Sequence, residues 1–446
     1  MSAHDLVEQA VAAATAAGAT SADAMLLEDD GVTVLVRDGR SERVEEHCSR
    51  GIGVRAFRGT RLGLAYTNDL SPEAVAETAR RAEALAEVAA EDEFAGLPDA
   101  DHIGVFDGDL DGADAAAGEW SSDTWIDVAK RCEIAAREDS RITMSEGARA
   151  GGGRRRMLLA NSNGLLAERN HSTCYTAMGV FATGDSGERQ RDSWSSMAAH
   201  FSDLQAPDEV GREAARRAIR RCGYRKPKSG AFPVIFSPEV ARDLAGTLAQ
   251  AVSGGAVFRR ATFLADSLGE QIGSDLLTLV DDPTLPRHVG SRGFDGEGVR
   301  SRRTVLVDGG RLESWLADSY AARRLGVAPT GNASRSFDSP PGVAPSNLVL
   351  MPGESDASEL IGDVQEGLYV TELFGMGVNL ASGAWSRGAG GLWIEKGELT
   401  HAVQELTIAG DLPSMLKGIT AVASDLHWHG RSAAPTLRID GLTIAS

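Results

Sequence analysis

At 446 residues, with 64 acidic against 45 basic side chains and a formal charge of -19, the chain is long enough for about three domains of roughly 150 residues and repels nucleic acid and anionic membrane surfaces. Its four cysteines, Cys48, Cys132, Cys174 and Cys222, form no CxxC pair, which argues against a disulfide framework or a cysteine-based zinc site and for free thiols in a reducing compartment. No apolar run approaches a membrane span, and Asp5 and Glu8 stand where a signal peptide would be basic, so the expectation is a cytoplasmic protein that engages no membrane.

Residues 3–17 read as an Ala-rich helix closed by Gly18, and alternating runs follow at 31–37, 43–48, 51–57 and 61–67, with Asp38-Gly39 as a hairpin signal. Ser71-Pro72-Glu73 opens a helix to about Ala90. Helix, antiparallel strands and helix predict an N-terminal α+β domain over residues 1–100. From Phe94 to Asp123 the composition shifts to Gly, Ala and Asp, which reads as an acidic linker. Asp107, Asp109, Asp111 and Gly112 match the opening of a calcium loop, but the position that should close it is Gly118, with Glu119 one residue late.

A middle, sheet-rich domain is expected over 101–228, with a helix at about 122–138, strands at 142–149, 155–160, 165–182 and 192–203, and turns supplied by the glycines at 151–153 and by Asn163-Gly164. The helix closing it, 208–224, carries Arg212, Arg216, Arg217, Arg220, Arg221 and Arg225, with Lys226 and Lys228 beyond. No aromatic residues interleave with these cations, so a solvated face or an acidic neighbouring domain is favoured over nucleic acid.

The third domain, 229–446, reads as β-rich with a few helices. The run 232–236 is strand-like, and the helix beginning at Ser237 and Pro238 repeats Val240, Leu244, Leu248 and Val252 on one face, as a core helix does. Glu239 and Asp243 lie one turn apart on its polar edge. A second helix is expected at 258–268, and hairpins at 305–310 and 392–397. No phosphate-binding glycine loop and no GxSxG elbow is present. Asp425, His427 and His429 would share one face of an extended segment and form a possible metal-ligand set.

The third domain resembles the TldD/PmbA proteins, known as modulators of DNA gyrase and as the TldD/TldE peptidase pair. The resemblance is carried by Pro329-Thr330-Gly331-Asn332-Ala333, Ser346-Asn347-Leu348, Met351-Pro352-Gly353, Gly367-Leu368-Tyr369-Val370, Leu380-Ala381-Ser382-Gly383, Gly391-Leu392-Trp393-Ile394-Glu395-Lys396-Gly397 and Thr436-Leu437-Arg438-Ile439-Asp440. Gly31 to Arg37 and Gly51 to Arg58 extend it toward the N-terminus. In that family the TldD-type subunit resembles a zinc peptidase with an HExxxH helix and a later cysteine. Here the two histidine positions fall on Pro238 and Asp243, only Glu239 is kept, and the last cysteine is Cys222.

The resemblance therefore implies a PmbA/TldE-type subunit, non-catalytic and without zinc of its own, paired with a TldD-type zinc peptidase or self-associating when alone, and acting with it on flexible peptides. It also implies that Thr330, Gly331, Asn332 and Asn347, with Glu239 and Asp243, line a peptide cleft. Two other readings stay open: an autonomous hydrolase using Asp425, His427 and His429, and a regulatory protein that binds DNA gyrase.

Overall fold

The computed structural model describes residues 1–446. Helix α1 (Ala3–Ala17) starts in a reciprocal cap, in which the Ser2 hydroxyl accepts from the Asp5 N–H and the Asp5 carboxylate accepts from the Ser2 N–H. The next strands are long: β1 (Ser21–Arg37), β2 (Arg40–Arg58) and the shorter β3 (Arg61–Thr67). Helices α2 (Pro72–Val88) and α3 (Ser122–Ala136) frame the expected linker, and β4 (Ile142–Asn161), β5 (Leu166–Thr183), β6 (Arg189–Ala198) and α4 (Pro207–Arg220) follow.

The expected first and second domains share one sheet. Its order is β3-β2-β1-β4-β5-β6, with β1 paired antiparallel to β4 from Asp23 opposite Asn161 to Val36 opposite Ala148. The glycines at 151–153 make no turn, and β4 runs straight through them. A Cβ on Gly151 or Gly153 would meet the backbone of β1 at 2.4 or 2.3 Å, and one on Gly152 would meet Trp120 and Trp125. These glycines are there for close packing.

Strand alternation gives this sheet two different faces. Ala24, Leu26, Val34, Ala150, Leu158 and Val180 point to the side covered by the four helices, where they form the cores beneath α1/α2 and α3/α4. Asp23, Met25, Asp29, Arg155, Met157, Arg169 and His171 occupy the alternate positions, on the face that the C-terminal domain covers. Met25, Met157 and Leu159 there pack on Phe294 of that domain. Beside them lies a buried ionic quartet. Arg55 bonds Asp23 (3.1 Å) and Glu297 (3.1 Å), and Arg335 bonds Asp23 (3.0 Å), all four side chains being at most 4% exposed. Burial alone would raise the Asp23 carboxyl, but Arg335 and Arg55 override it and hold it below its usual value.

The acidic segment after α2 is no free linker. It forms only short 3-10 turns at Ala100–His102 and Ala115–Glu119, and it is tied to the C-terminal domain by Gly104 N–H to Gly298 O (3.0 Å) and Phe106 N–H to Gly293 O (2.8 Å). Its calcium-like aspartates are engaged elsewhere, Asp107 with Arg300 (2.9 Å) and Asp111 with Arg287 (2.7 Å).

In the C-terminal domain β7 (Gly230–Phe236) leads into α5 (Pro238–Ala251). The larger sheet orders Glu366–Phe374, β7, Leu437–Ala445, Glu398–Asp411 and Ala384–Glu395, and it closes on itself because the last of these also pairs with the first. A second sheet is built from Arg311–Leu312, Thr304–Asp308, Leu279–Asp281, Leu348–Leu350, Ser432–Ala434 and His427–His429. Between them sits α5, whose Val240, Leu244, Leu248 and Val252 are at most 4% exposed in the largest core. The helix expected at 258–268 is absent as such: a single turn at Gly254–Phe258 is followed by bends, with Arg260 at φ 54° breaking the helical path.

Candidate functional site

The N-terminus of α5 lies where α4, β6 and the C-terminal domain meet. Pro238 occupies the first helical position, and Ser237 is extended at the cap position. Serine is a common helix cap, but here the Ser237 hydroxyl is buried and bonds no helix N–H. Glu239 instead accepts from Arg217 of α4 (3.0 Å). The same guanidinium reaches Asp192 of β6 (3.2 Å) and lies 4.9 Å above the Trp194 ring. One turn later Arg221 contacts Asp192 (3.5 Å) and Glu372. The arginine-rich helix thus presents its inner arginines to an acidic neighbouring domain, while Arg212 and Arg216 pair outside with Glu138 and Glu213.

Burial would raise the Glu239 carboxyl, but Arg217 outweighs it and holds the group below the usual glutamate range. A carboxylate so stabilised is a poor proton acceptor. Asp243, one turn on, accepts from Arg387 (3.0 Å), which also bonds the Phe374 carbonyl. Arg242 donates to the carbonyl of His429 (3.3 Å).

His427 and His429 do share a face, as strand geometry demands, and both lie against Trp194, at 5.4 and 6.5 Å between ring centroids. Trp428 points the other way, onto His288. His429 Nε2 is 3.3 Å from Ser195 Oγ, and burial first, then Arg242, push its pKa down to about 4, so the ring is neutral near pH 7. Asp425 does not join them. Its carboxylate accepts from the Thr436 N–H (2.8 Å) and hydroxyl (2.7 Å), which corrects the alternative ligand set.

Zinc asks for nitrogen or sulfur donors converging at about 2.0–2.3 Å. At the start of α5 the donors are two carboxylates held by separate arginines and a proline with nothing to offer, and no three His, Cys, Asp or Glu side chains converge anywhere to hold a metal. The residues present do not fit a zinc site.

Thr330, Gly331, Asn332 and Asn347 lie elsewhere and are internal. Thr330 Oγ1 donates to Asn332 Oδ1 (2.7 Å), and Asn332 Nδ2 donates to Asp281 (2.7 Å). Asn347 bonds the Asp282 carbonyl, Ser291 and the Gly290 N–H. Gly331 needs its glycine, with φ 77°, and its carbonyl accepts from Arg292 (3.0 Å). These side chains are at most 5% exposed. They brace a wall from behind and line no cleft, because two buried amides find partners inside the domain and have no group left for a ligand.

That wall belongs to a cavity of about 720 Å³ between the open face of the six-stranded sheet, the segment after α2 and the C-terminal domain. Arg155, Arg169, His171, Arg292, Arg335 and Arg431 are among its lining residues. None was singled out from the sequence. The signal available was the two-residue spacing of Arg169 and His171 on β5 opposite Met157 and Arg155 on β4, which puts all four on one face.

The fold is a helix-backed six-stranded sheet docked on a β-rich domain, with a proline and arginine-held carboxylates at the start of α5. Comparison with known proteins makes the family definite. Models of the PmbA/TldA metallopeptidase domain 1, central domain and C-terminal domain match residues 22–86, 116–221 and 229–446. A metalloprotease PmbA of Escherichia coli O157:H7 is 35% identical over 444 residues, 99% of this chain and 96% of that protein. A PmbA homolog of Haemophilus influenzae is 32% identical, covering 98% and 95%. Among solved structures, a Thermotoga maritima protein described as a modulator of DNA gyrase superposes with TM-score 0.90 at 26% identity over the full length of both chains. TldE from Thermococcus kodakarensis shares the fold, with TM-score 0.87 at 21% identity over 99% of this chain and 100% of that one. The chain belongs to the PmbA/TldD metallopeptidase family.

Proposed function

We propose that this chain is the TldE-type, non-catalytic subunit of a cytoplasmic zinc-peptidase complex, and that the zinc and the general base for cleaving flexible peptides come from a TldD-type partner. One observation carries the reading: at the start of α5, Pro238 has no donor, while Glu239 and Asp243 are already paired with Arg217 and Arg387. A zinc peptidase needs a metal with an open position for water and a base to take its proton. Held in its ionised form by Arg217, Glu239 lacks the basicity to take a proton from such a water.

The test is to purify the chain alone and with a TldD-type homologue, and to compare zinc content and cleavage of an unstructured peptide. Zinc and cleavage are expected only with the partner, and Glu239→Gln in this chain should change the activity of the assembled complex less than about threefold. Cleavage by this chain alone, or about one tightly held zinc per isolated chain, would overturn the proposal.

A further inference from the structure

The cavity on the open face of the six-stranded sheet has an unusual charge balance for so acidic a protein. Three of its guanidiniums, those of Arg169, Arg292 and Arg431, have no carboxylate oxygen within 4 Å. Arg169 donates only to the Phe294 carbonyl (3.1 Å) and stacks on the Phe294 ring. Arg292 is 8% exposed and donates to the Gly331 carbonyl, leaving its Nε buried without a partner. Arg335, paired on one side with Asp23, also leaves Nε and one Nη buried and unbonded. The carboxylates that line the cavity do not answer these groups. Asp29 is bound by Arg155 and His47, Glu168 by Arg156, and Asp109 accepts from the Asp111 N–H. The carboxylates buried nearby are committed as well, Asp281 to Asn332 and Ser346 and Asp295 to backbone N–H groups.

The Arg292 Nε is buried without an acceptor, which is costly, and Arg169, half-buried, and Arg431, exposed, bring two more positive charges to the same cavity. His171 registers this field. Burial first, then Arg169 and Arg431, push its imidazole down to about 4, and its Nε2 too is buried and unbonded. The N–H groups of a guanidinium match the paired oxygens of a carboxylate or phosphate, and the volume suits a ligand of a few residues or one phosphorylated small molecule.

We propose that this cavity is a binding site for a small ligand bearing an oxyanion, a carboxylate or a phosphate, held by Arg169, Arg292 and Arg431. The Thr330–Asn332 and Asn347 network holds Arg292 in place from behind, through Gly331 and Ser291. The site lies in this chain alone and does not depend on the subunit role proposed above.

The test is calorimetric titration of the full chain at low salt with inorganic phosphate, pyrophosphate, and trialanine with a free or an amidated C-terminus. Saturable binding is expected for at least one oxyanion and not for the amidated peptide. Preference for the free peptide identifies a peptide terminus as the source, and preference for phosphates identifies a phosphorylated ligand. Arg169→Gln and Arg431→Gln should each weaken binding about tenfold or more. Should Arg292→Gln fail to fold, these two variants decide. No binding of any oxyanion at millimolar concentration, or equal affinity in the wild type and both variants, overturns the proposal.

Discussion

The junction at Glu239 and the cavity on the open sheet face are both rich in arginine, and they differ in whether carboxylates answer it. At the junction the inner guanidiniums meet carboxylates: Arg217 with Asp192 and Glu239, Arg221 with Asp192 and Glu372, and Arg387 with Asp243. In the cavity Arg169, Arg292 and Arg431 meet none. Arginine clusters therefore have to be judged by their acceptors. A matched set joins domains, and an unmatched set keeps positive potential available to something from outside.

That contrast can be broken by measuring stability. The largest effect is expected for Arg55→Met, which leaves Asp23 and Glu297 buried with only Arg335 nearby and should lower the unfolding free energy by about 3–5 kcal/mol. Arg217→Met should cost about 3 kcal/mol, because Glu239 loses its partner while Asp192 keeps Arg221. In the unmatched cavity Arg169→Met should stay within about 1 kcal/mol of the wild type or stabilise the protein, since no carboxylate is orphaned and a repulsion is removed. Urea unfolding of the three variants checks the order. A loss at Arg169 as large as that at Arg217 would show that the two regions do not differ as argued.

A separate effect is expected in pH dependence. His171 and His429 each titrate near 4 in the folded chain, against 6.5 for an ordinary histidine. Between these values the unfolded chain binds more protons, so the stability these rings contribute is complete above about pH 6.5 and is lost as pH falls toward 4. His171→Gln should flatten the fall in unfolding free energy across that window, and His429→Gln should do the same independently. An unchanged slope in both would place the rings in a more solvated setting than the structure gives them.

The sequence by itself determined the local elements, because they follow from periodicity and turn chemistry that act over a few residues. The repeat Val240, Leu244, Leu248, Val252 marked the core face of α5, and Asp38-Gly39 and Asn163-Gly164 marked their hairpins. Tertiary structure alone decided what those residues meet. The glycines at 151–153 read as a turn because glycine's freedom is the local signal, whereas their use is close approach to β1 and two tryptophans, which are distant in sequence. The resemblance implied that Asn332 and Asn347 line a cleft, and they proved internal because their partners lie 51 and 65 positions away on Asp281 and Asp282. Whether an arginine has a carboxylate beside it depends on chain segments brought together from both ends of the molecule, as at Arg335 and Asp23, 312 positions apart. No periodicity encodes that pairing, so the difference between the junction and the cavity became visible only in the folded chain.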